Sequence, residues 1–499
     1  MHFSTFAAYF SGLSLVAHAS AAAIGSRDTP LDARHARHVQ VLTTGTGTGP
    51  VPTSSATRNS TATSTPSPSA LNSTGKPVFF HYMIGTLLDE HCEQDIIDAK
   101  ALGVDAFALN LNTVGEQYAL DASTSLFNWA NTYDFKLFFS FDMSWHQDPT
   151  VTDDVIRQPS DVVSFLQSYA NNDAYYKYNG MPFVSTFEGA AWSDDEWNSQ
   201  LLEPMSSAGT PIYFVPSFED LSSINSSYFD TYPSQDGAFN WNSWPFEYEG
   251  DIVVPTTDDQ TLLDAAHAVG KTTIMGVSPL QFKHMDSNDN WYRRGEENLE
   301  FRFGQVLSMQ PDFVEFQTWN DAGESHYMGN IWPEPIAGGV INTYTDGYNH
   351  TAFQNILVSF IQAYKNGATD TTTMYPTNGA VAQGTFWHHT LLAAASCPND
   401  SIGQPKGIEL VEDKVTAGIL VTSGTTDLTA TITSGGTTLG TQTLVPGFNG
   451  FSFSGLTTGT VVVTVTDSSG NTVVSGTGPI DVADSGDLYN FNFQVVGLQ

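Results

Sequence analysis

The sequence predicts an α/β fold, a closed (β/α)8 barrel over residues 76–404 followed by an all-β sandwich over residues 405–499. Three observations predict it. Short apolar β-type runs alternate with helix-patterned segments along the first part of the chain. Polar and aromatic residues gather at the C-terminal ends of nearly all those runs, which is the active face of a barrel. Near residue 405 the composition turns to Thr, Val and Gly with turn signals between short strands.

The barrel strands are expected at Pro77–Gly85, Ala106–Asn112, Lys136–Met143, Met181–Gly189, Ile212–Asp220, Gly237–Trp244, Thr272–Pro279 and Phe313–Asp321. Helical spacing falls between them, as in Asp95–Leu102, Asp161–Tyr169 and Thr261–Val269. An open doubly wound sheet is the competing α/β arrangement, but no Gly-rich phosphate turn follows the first run. In the last block, Ala417–Thr422, Leu428–Ile432 and Val461–Val465 read as strands, separated by Ser434-Gly435-Gly436 and Ser468-Ser469-Gly470.

Ahead of the barrel, residues 1–22 read as a signal peptide with an apolar stretch at Phe6–Val16 and small residues for cleavage. Residues 23–75 read as a pro-segment, with Arg27, Arg34 and Arg37, and then a Ser/Thr/Pro-rich tether that buries too little to fold. No later run is long and apolar enough to span a bilayer. Five N-x-S/T sequons, at Asn59, Asn72, Asn225, Asn349 and Asn399, point the same way, to a secreted glycoprotein. Cys92 and Cys397 are the only cysteines, so at most one disulfide joins the start of the large domain to its end. A pair of free buried thiols is the equal alternative.

Charge narrows the partners. The chain carries 53 acidic against 17 basic residues, a net charge of −36. Phosphate and anionic lipid need clustered cations, so neither nucleic acid nor membrane is an expected partner. A neutral polymer is compatible, and so is simple adaptation to acid. There is no HExxH, no metal-ligand spacing of histidines, no GxSxG elbow and no nucleotide fingerprint. No cofactor and no metal are therefore expected.

The segment Phe316–Tyr327 (FQTWNDAGESHY) holds the densest chemistry. Asp321 and Glu324 follow the last strand, and Gly323 between them permits a tight loop. Two carboxyls with different environments can divide acid and base roles at a glycosidic bond. The bland reading is an Asx turn or helix cap formed by Asp321. At the other strand ends, His81, Asn110, Asn112, Asp142, Glu188, Glu219, Asp220, Asn240 and Asn242 are candidate hydroxyl ligands. Asp236 precedes its strand and is the weakest of the acids. Trp145, Trp241, Trp244, Trp291, Trp319 and Trp332 are candidate stacking platforms, with core packing the alternative for about half. His326 and Tyr327 complete the loop. Tyr292, Arg293 and Arg294 form a rare basic spot, suited to orienting a carboxylate or only offsetting charge.

The strings FFHYMIG, DAFALNLN, LFFSFDMSW, FVSTFEG, FVPSFED, FNWNSWP and NWYRRGEENLEFRFGQVLSMQPDFVEFQTWNDAGESHY resemble the fungal α-1,3-glucanases (mutanases) of glycoside hydrolase family 71. The resemblance covers residues 76–400. It implies a hydrolase of α-1,3-glucan that inverts the anomeric centre; with the secretion signals, the expectation is an extracellular or wall-associated, endo-acting monomer. The resemblance also implies that Asp321 and Glu324 are the catalytic pair, with Asp321 as base and Glu324 as acid. Their carboxyls would then diverge to about 6.5–9.5 Å. Ala322 stands where a larger, often aromatic residue is expected, which bears on a subsite wall. A barrel hydrolase of another α-linked glycan, such as α-mannan, and a non-catalytic wall glycan-binding protein remain the alternatives.

Overall fold

The computed structural model describes residues 75–147, 154–218, 224–245 and 253–499. The expected signal peptide and tether, and with them Asn59, Asn72, Glu219 and Asp220, lie outside the described residues. The chain forms a mixed α/β fold around a curled sheet. Its strands are β1 (Val78–Met83), β2 (Ala106–Leu111), β3 (Lys136–Asp142), β4 (Lys177–Tyr178), β5 (Met181–Phe187), β6 (Tyr213–Phe214), β7 (Gly237–Asn240), β8 (Thr272–Val277) and, after an inserted hairpin of β9 (Gln281–His284) and β10 (Asn290–Arg293), β11 (Phe313–Phe316). The sheet order is β4-β5-β3-β2-β1-β11-β8-β7, with β6 also beside β5. Only β4 runs antiparallel to its neighbour.

Helices α1 (Asp89–Leu102), α2 (Gln117–Tyr133), α3 (Val163–Tyr169), α4 (Thr257–Ala268), α5 (Asn298–Met309) and α6 (Gln354–Lys365) belong to the connections. Gly103 ends α1 in the left-handed region at φ 86°, where glycine pays no Cβ penalty. Helices α1 and α4 begin before the expected positions because polar first turns, such as Thr257 to Gln260, carry no apolar signal.

Between β6 and β7 there is no regular ladder, yet two backbone bonds join them, Asp236 N–H to Phe214 O and Phe239 N–H to Pro216 O, both 2.9 Å. Pro216 has no N–H to donate, which removes the bond between those two. The Asp236 carboxylate substitutes by accepting the Phe214 N–H at 2.9 Å. This is why strands five and six are shorter than their apolar runs suggest.

The sheet interior is layered. At its base Phe79 packs edge-on against Phe138 at 4.9 Å and lies 5.6 Å from both Phe183 and Phe313. Alternation along the strands sends His81, Ser140, Ser185 and Glu315 to the same side, one step nearer the C-terminal face. There His81 Nδ1 meets Glu315 Oε1 at 2.8 Å, both side chains buried. The opposite face of β1 carries Phe80 and Tyr82, the first stacked on Phe316 and the second donating to Asp95 of α1 at 2.8 Å.

The C-terminal part forms two four-stranded antiparallel sheets. One has the order β17 (Gly447–Ser454), β14 (Lys414–Val421), β12 (Ala382–His389), β21 (Phe493–Gly497). The other has the order β16 (Thr437–Leu444), β15 (Leu428–Ser434), β18 (Val461–Thr466), β19 (Thr472–Thr477). Every second residue of β15 and β18 is buried, in a second apolar core with Phe386, Val415 and Ile419. A small parallel pair joins β13 (Leu391–Ser396) to β20 (Ala483–Ser485). Because β12 precedes residue 405 and sits between β14 and β21, sheet pairing does not break at the expected boundary. Trp387, Phe491 and Phe493 bury into the large core.

The disulfide alternative is overturned, since Cys92 and Cys397 are both free and buried. Cys92 packs on α1, where burial pushes its thiol up to about 11, and Cys397 donates to Leu488 O at 3.2 Å. Each thiol is satisfied by its own neighbourhood. Asn225, Asn349 and Asn399 are exposed, as glycan acceptors must be.

Candidate active site

The loop after β11 is held from both sides. Thr318 Oγ1 accepts the Asp321 N–H at 2.8 Å, and Asn320 bridges to both backbone groups of Met83 on β1. Asp321 Oδ1 accepts the Glu324 N–H at 3.0 Å, so the Asx-type turn is real and uses one oxygen of the candidate base. The other oxygen, Oδ2, faces His326 Nε2 at 3.2 Å. Glu324 is met by the Gln281 amide, by Lys283 Nζ at 3.8 Å and by His326 Nε2 at 3.9 Å. Tyr344 holds the turn by donating to Gly323 O at 2.7 Å.

One ligand atom from each of Asp321, Glu324 and His326 lies within 4.8 Å of the others. The expected divergence of the carboxyls is therefore not found. The side chains converge, because the turn bond pulls Asp321 over the Glu324 backbone and His326 draws both acids together. The same spacing would admit a cation, but Lys283 already places a positive charge against Glu324. For Asp321, burial raises the carboxyl pKa, while the His326 hydrogen bond and charge, the Glu324 N–H and Lys283 lower it. The balance falls below the usual carboxylate range.

His81 and Glu315 lie beneath this loop in the sheet interior, where Trp241 meets the His81 ring edge-on at 4.8 Å. Asn110 is on the interior side of β2, since Phe107 packs against Trp319 behind the sheet, and Asn112 follows it half-buried. Asp142 is half-buried and accepts from Ser144 N–H, Ser144 Oγ and Trp145 Nε1. Burial raises its carboxyl pKa, against those donors. Trp145 is half-buried beside it. Glu188 follows β5 half-buried at φ 56°, a left-handed conformation that costs a non-glycine residue and often marks a functional position. Asn242 is half-buried just past β7.

Six expected ligands are placed elsewhere. Asn240 points to the helical layer and donates to Asp259 of α4 at 2.9 Å. Asn242 shares that side, its Nδ2 3.5 Å from Asn240 Oδ1, because alternation turns Phe239 and Trp241 inward. Trp319 is 0% exposed, wedged between Phe80 and Phe107 behind the sheet. Tyr327 is also 0% exposed, stacked on His350 at 4.1 Å and bonded to Tyr348 O. Trp244 is buried between the Arg293 guanidinium, 5.3 Å above its ring, and His326. Trp291 is mostly covered by Lys283, 4.8 Å over its ring. Trp332 stacks on His91 at 3.8 Å and donates to Asp95.

Sequence reasoning missed Gln281, Lys283, Glu315 and Tyr344. Lys283 left a readable signal, a rare cation just after the seventh strand. The others are ordinary residues whose role comes from packing alone.

The family model for glycosyl hydrolase family 71 matches residues 74–499. The chain is 34% identical over 439 residues to glucan endo-1,3-alpha-glucosidase agn1 of Schizosaccharomyces pombe, a match covering 85% of this chain and 94% of that protein. It is 30% identical to a mutanase of Penicillium rubens, over 85% of this chain and 89% of that protein. An ascus wall endo-1,3-alpha-glucanase of Schizosaccharomyces pombe is 29% identical, over 84% and 96%. Among solved structures, a GH99 endo-alpha-mannosidase from Bacteroides thetaiotaomicron is similar at TM-score 0.43 and 12% identity, covering 56% of this chain and 80% of that chain. With its acidic loop at the end of the last sheet strand and a family match running through both parts of the molecule, the chain is a glycoside hydrolase and belongs to glycosyl hydrolase family 71.

Proposed function

We propose that this enzyme hydrolyses α-1,3-linked glucan, endo-acting, outside the cell or at the wall, with Asp321 and Glu324 as its catalytic carboxyls. The names of the relatives support the substrate. The acidic, cation-poor chain suits a neutral polymer. Among the described residues no helix is long and apolar enough to cross a membrane. We read the curled sheet as a closed (β/α)8 barrel, supported by the two bonds between β6 and β7, and the two C-terminal sheets as a sandwich, supported by their shared core.

The observation that carries the mechanism is the ion pair of His326 with Asp321. A general base must be ionised, and this contact keeps Asp321 so. Asp321 then takes a proton from the attacking water while Glu324 protonates the leaving oxygen. His81, Asn110, Asn112, Asp142, Trp145, Glu188 and Trp241 surround the interior and rim as candidate sugar contacts. The resemblance implies inversion. A second reading, retention, is favoured by the convergence of the carboxyls, since retaining pairs stand about 5–5.5 Å apart.

Reducing-sugar release from α-1,3-glucan by wild type, Asp321→Asn and Glu324→Gln tests the pair. Both folded variants should lose about 10²–10⁴-fold, and near-normal turnover in either makes that residue structural. NMR of the first-formed anomer separates the readings, β for inversion and α for retention. A panel including α-mannan tests the substrate.

A further inference from the structure

Glu324 is held by the β9–β10 hairpin. Gln281 and Lys283 contact its carboxylate, and Phe282 N–H donates to its carbonyl at 2.9 Å. The far edge of that hairpin belongs to the C-terminal part. Tyr292 N–H donates to Lys406 O at 2.7 Å and Lys406 N–H to Asn290 O at 3.0 Å, so the chain at 406 lies parallel to β10 in a single bridge to Trp291. Asn290 Nδ2 donates to Gly403 O and Gln404 O, which fixes its amide so that Oδ1 faces His284 Nδ1 at 2.8 Å. The other ring nitrogen, Nε2, meets Asp400 Oδ2 at 2.8 Å, with the two side chains 0% and 1% exposed. Each ring nitrogen thus faces an acceptor, which fixes the ring between Asn290 and Asp400. Asp400 is fixed in turn by Tyr489 N–H and Ile402 N–H, at 2.8 and 2.9 Å.

A second connection reaches the other acid. Asn492, which immediately precedes β21 and is 0% exposed, donates to Tyr344 O and to Tyr327 Oη, both at 3.1 Å. Tyr344 is the residue whose hydroxyl holds Gly323 O, between Asp321 and Glu324.

We propose that the C-terminal sheets are a positioning part of the catalytic centre rather than a separate substrate-binding module, with Asp400 acting through His284 and Asn492 acting through Tyr344 to fix Glu324 and Asp321. This rests on the reading of those two acids as catalytic. Asp400 and Asn492 are positioning residues, since both act through another side chain. A unit that only bound glucan would have no need to send two buried polar connections to opposite sides of one loop.

The test is kcat and KM on soluble α-1,3-gluco-oligosaccharide for the full chain and for Asp400→Asn, Asn492→Leu and Tyr344→Phe, with unfolding midpoints measured alongside. Small displacements of catalytic groups cost up to about 10²-fold. We expect kcat to fall by about 10–100-fold with KM within about twofold of wild type. Wild-type kcat in the folded variants overturns the proposal, and so does a raised KM with unchanged kcat, which would assign the sheets to binding. Tyr344→Phe removes only a hydroxyl, so it decides the matter if the other two do not fold. Glu324→Gln in the same series separates the two failures. If it keeps turnover, the catalytic reading fails; if it is inactive while the three variants work normally, only the positioning claim does.

Discussion

Replacing His326 by Gln tests the contact that lowers the Asp321 carboxyl pKa. Glutamine keeps an N–H donor near the position of Nε2 but cannot carry the positive charge. The contact is 3.2 Å long, with the His326 side chain 1% and the Asp321 side chain 17% exposed, so solvent screens it weakly. An opposite charge at such a distance lowers a carboxyl pKa by about 1–3 units. That corresponds to about 1.4–4 kcal/mol. Asp321 serves as base only when ionised, so its acid limb in kcat/KM against pH should move up by about 1–3 units in His326→Gln. The stability sign agrees. A depressed carboxyl contributes stability above its unfolded pKa and loses it as pH falls through the folded value, so the variant should lose this contribution from a higher pH. The assay is a pH–rate profile on soluble oligosaccharide, with folding checked at each pH. A folded variant whose acid limb stays in place would refute the claim that His326 sets the ionisation of Asp321.

Two further outcomes follow from the packing. Asp95 is buried, and desolvation raises its carboxyl to about 6 despite donors from Asn330, Tyr82 and Trp332. A raised carboxyl stabilises below its unfolded pKa and loses that contribution as pH rises through about 6, so wild type should lose about 2 kcal/mol between pH 4 and pH 7 from this group. Urea titrations at the two pH values should show that slope flattened in Asp95→Asn, and an unchanged slope would dismiss the assignment. Gly329→Ala would place a Cβ 2.3 Å from ring carbons of Trp319, which has no free space to retreat into. It should destabilise by about 1–3 kcal/mol or more, read as a lower denaturation midpoint; wild-type stability would mean the loop yields freely.

The sequence by itself determined the alternation of strand and helix, because apolar periodicity is local and each run carries its own signal. It also located the acidic loop, since Asp321 and Glu324 follow the last strand and share one turn. It could not determine which side of the sheet each residue meets once the strands stop. Asn240 and Trp319 were legible as strand-end residues, yet both face the helical layer, because alternation turns Phe239 and Trp241 inward and the chain after β11 crosses behind Phe80. The short β6–β7 contact depended on Pro216 and on the carboxylate of Asp236, two local exceptions to the ladder that only the neighbouring strand makes visible. The surroundings of the acids came from the tertiary structure alone. Lys283 and Gln281 reach Glu324 from a hairpin about forty residues upstream, and Asn492 reaches the loop through Tyr344 from about 170 residues downstream. Local pattern fixes which residues stand at the end of a strand; the ionisation and position of those residues depend on charges and donors brought from remote segments, whose arrangement no local period encodes.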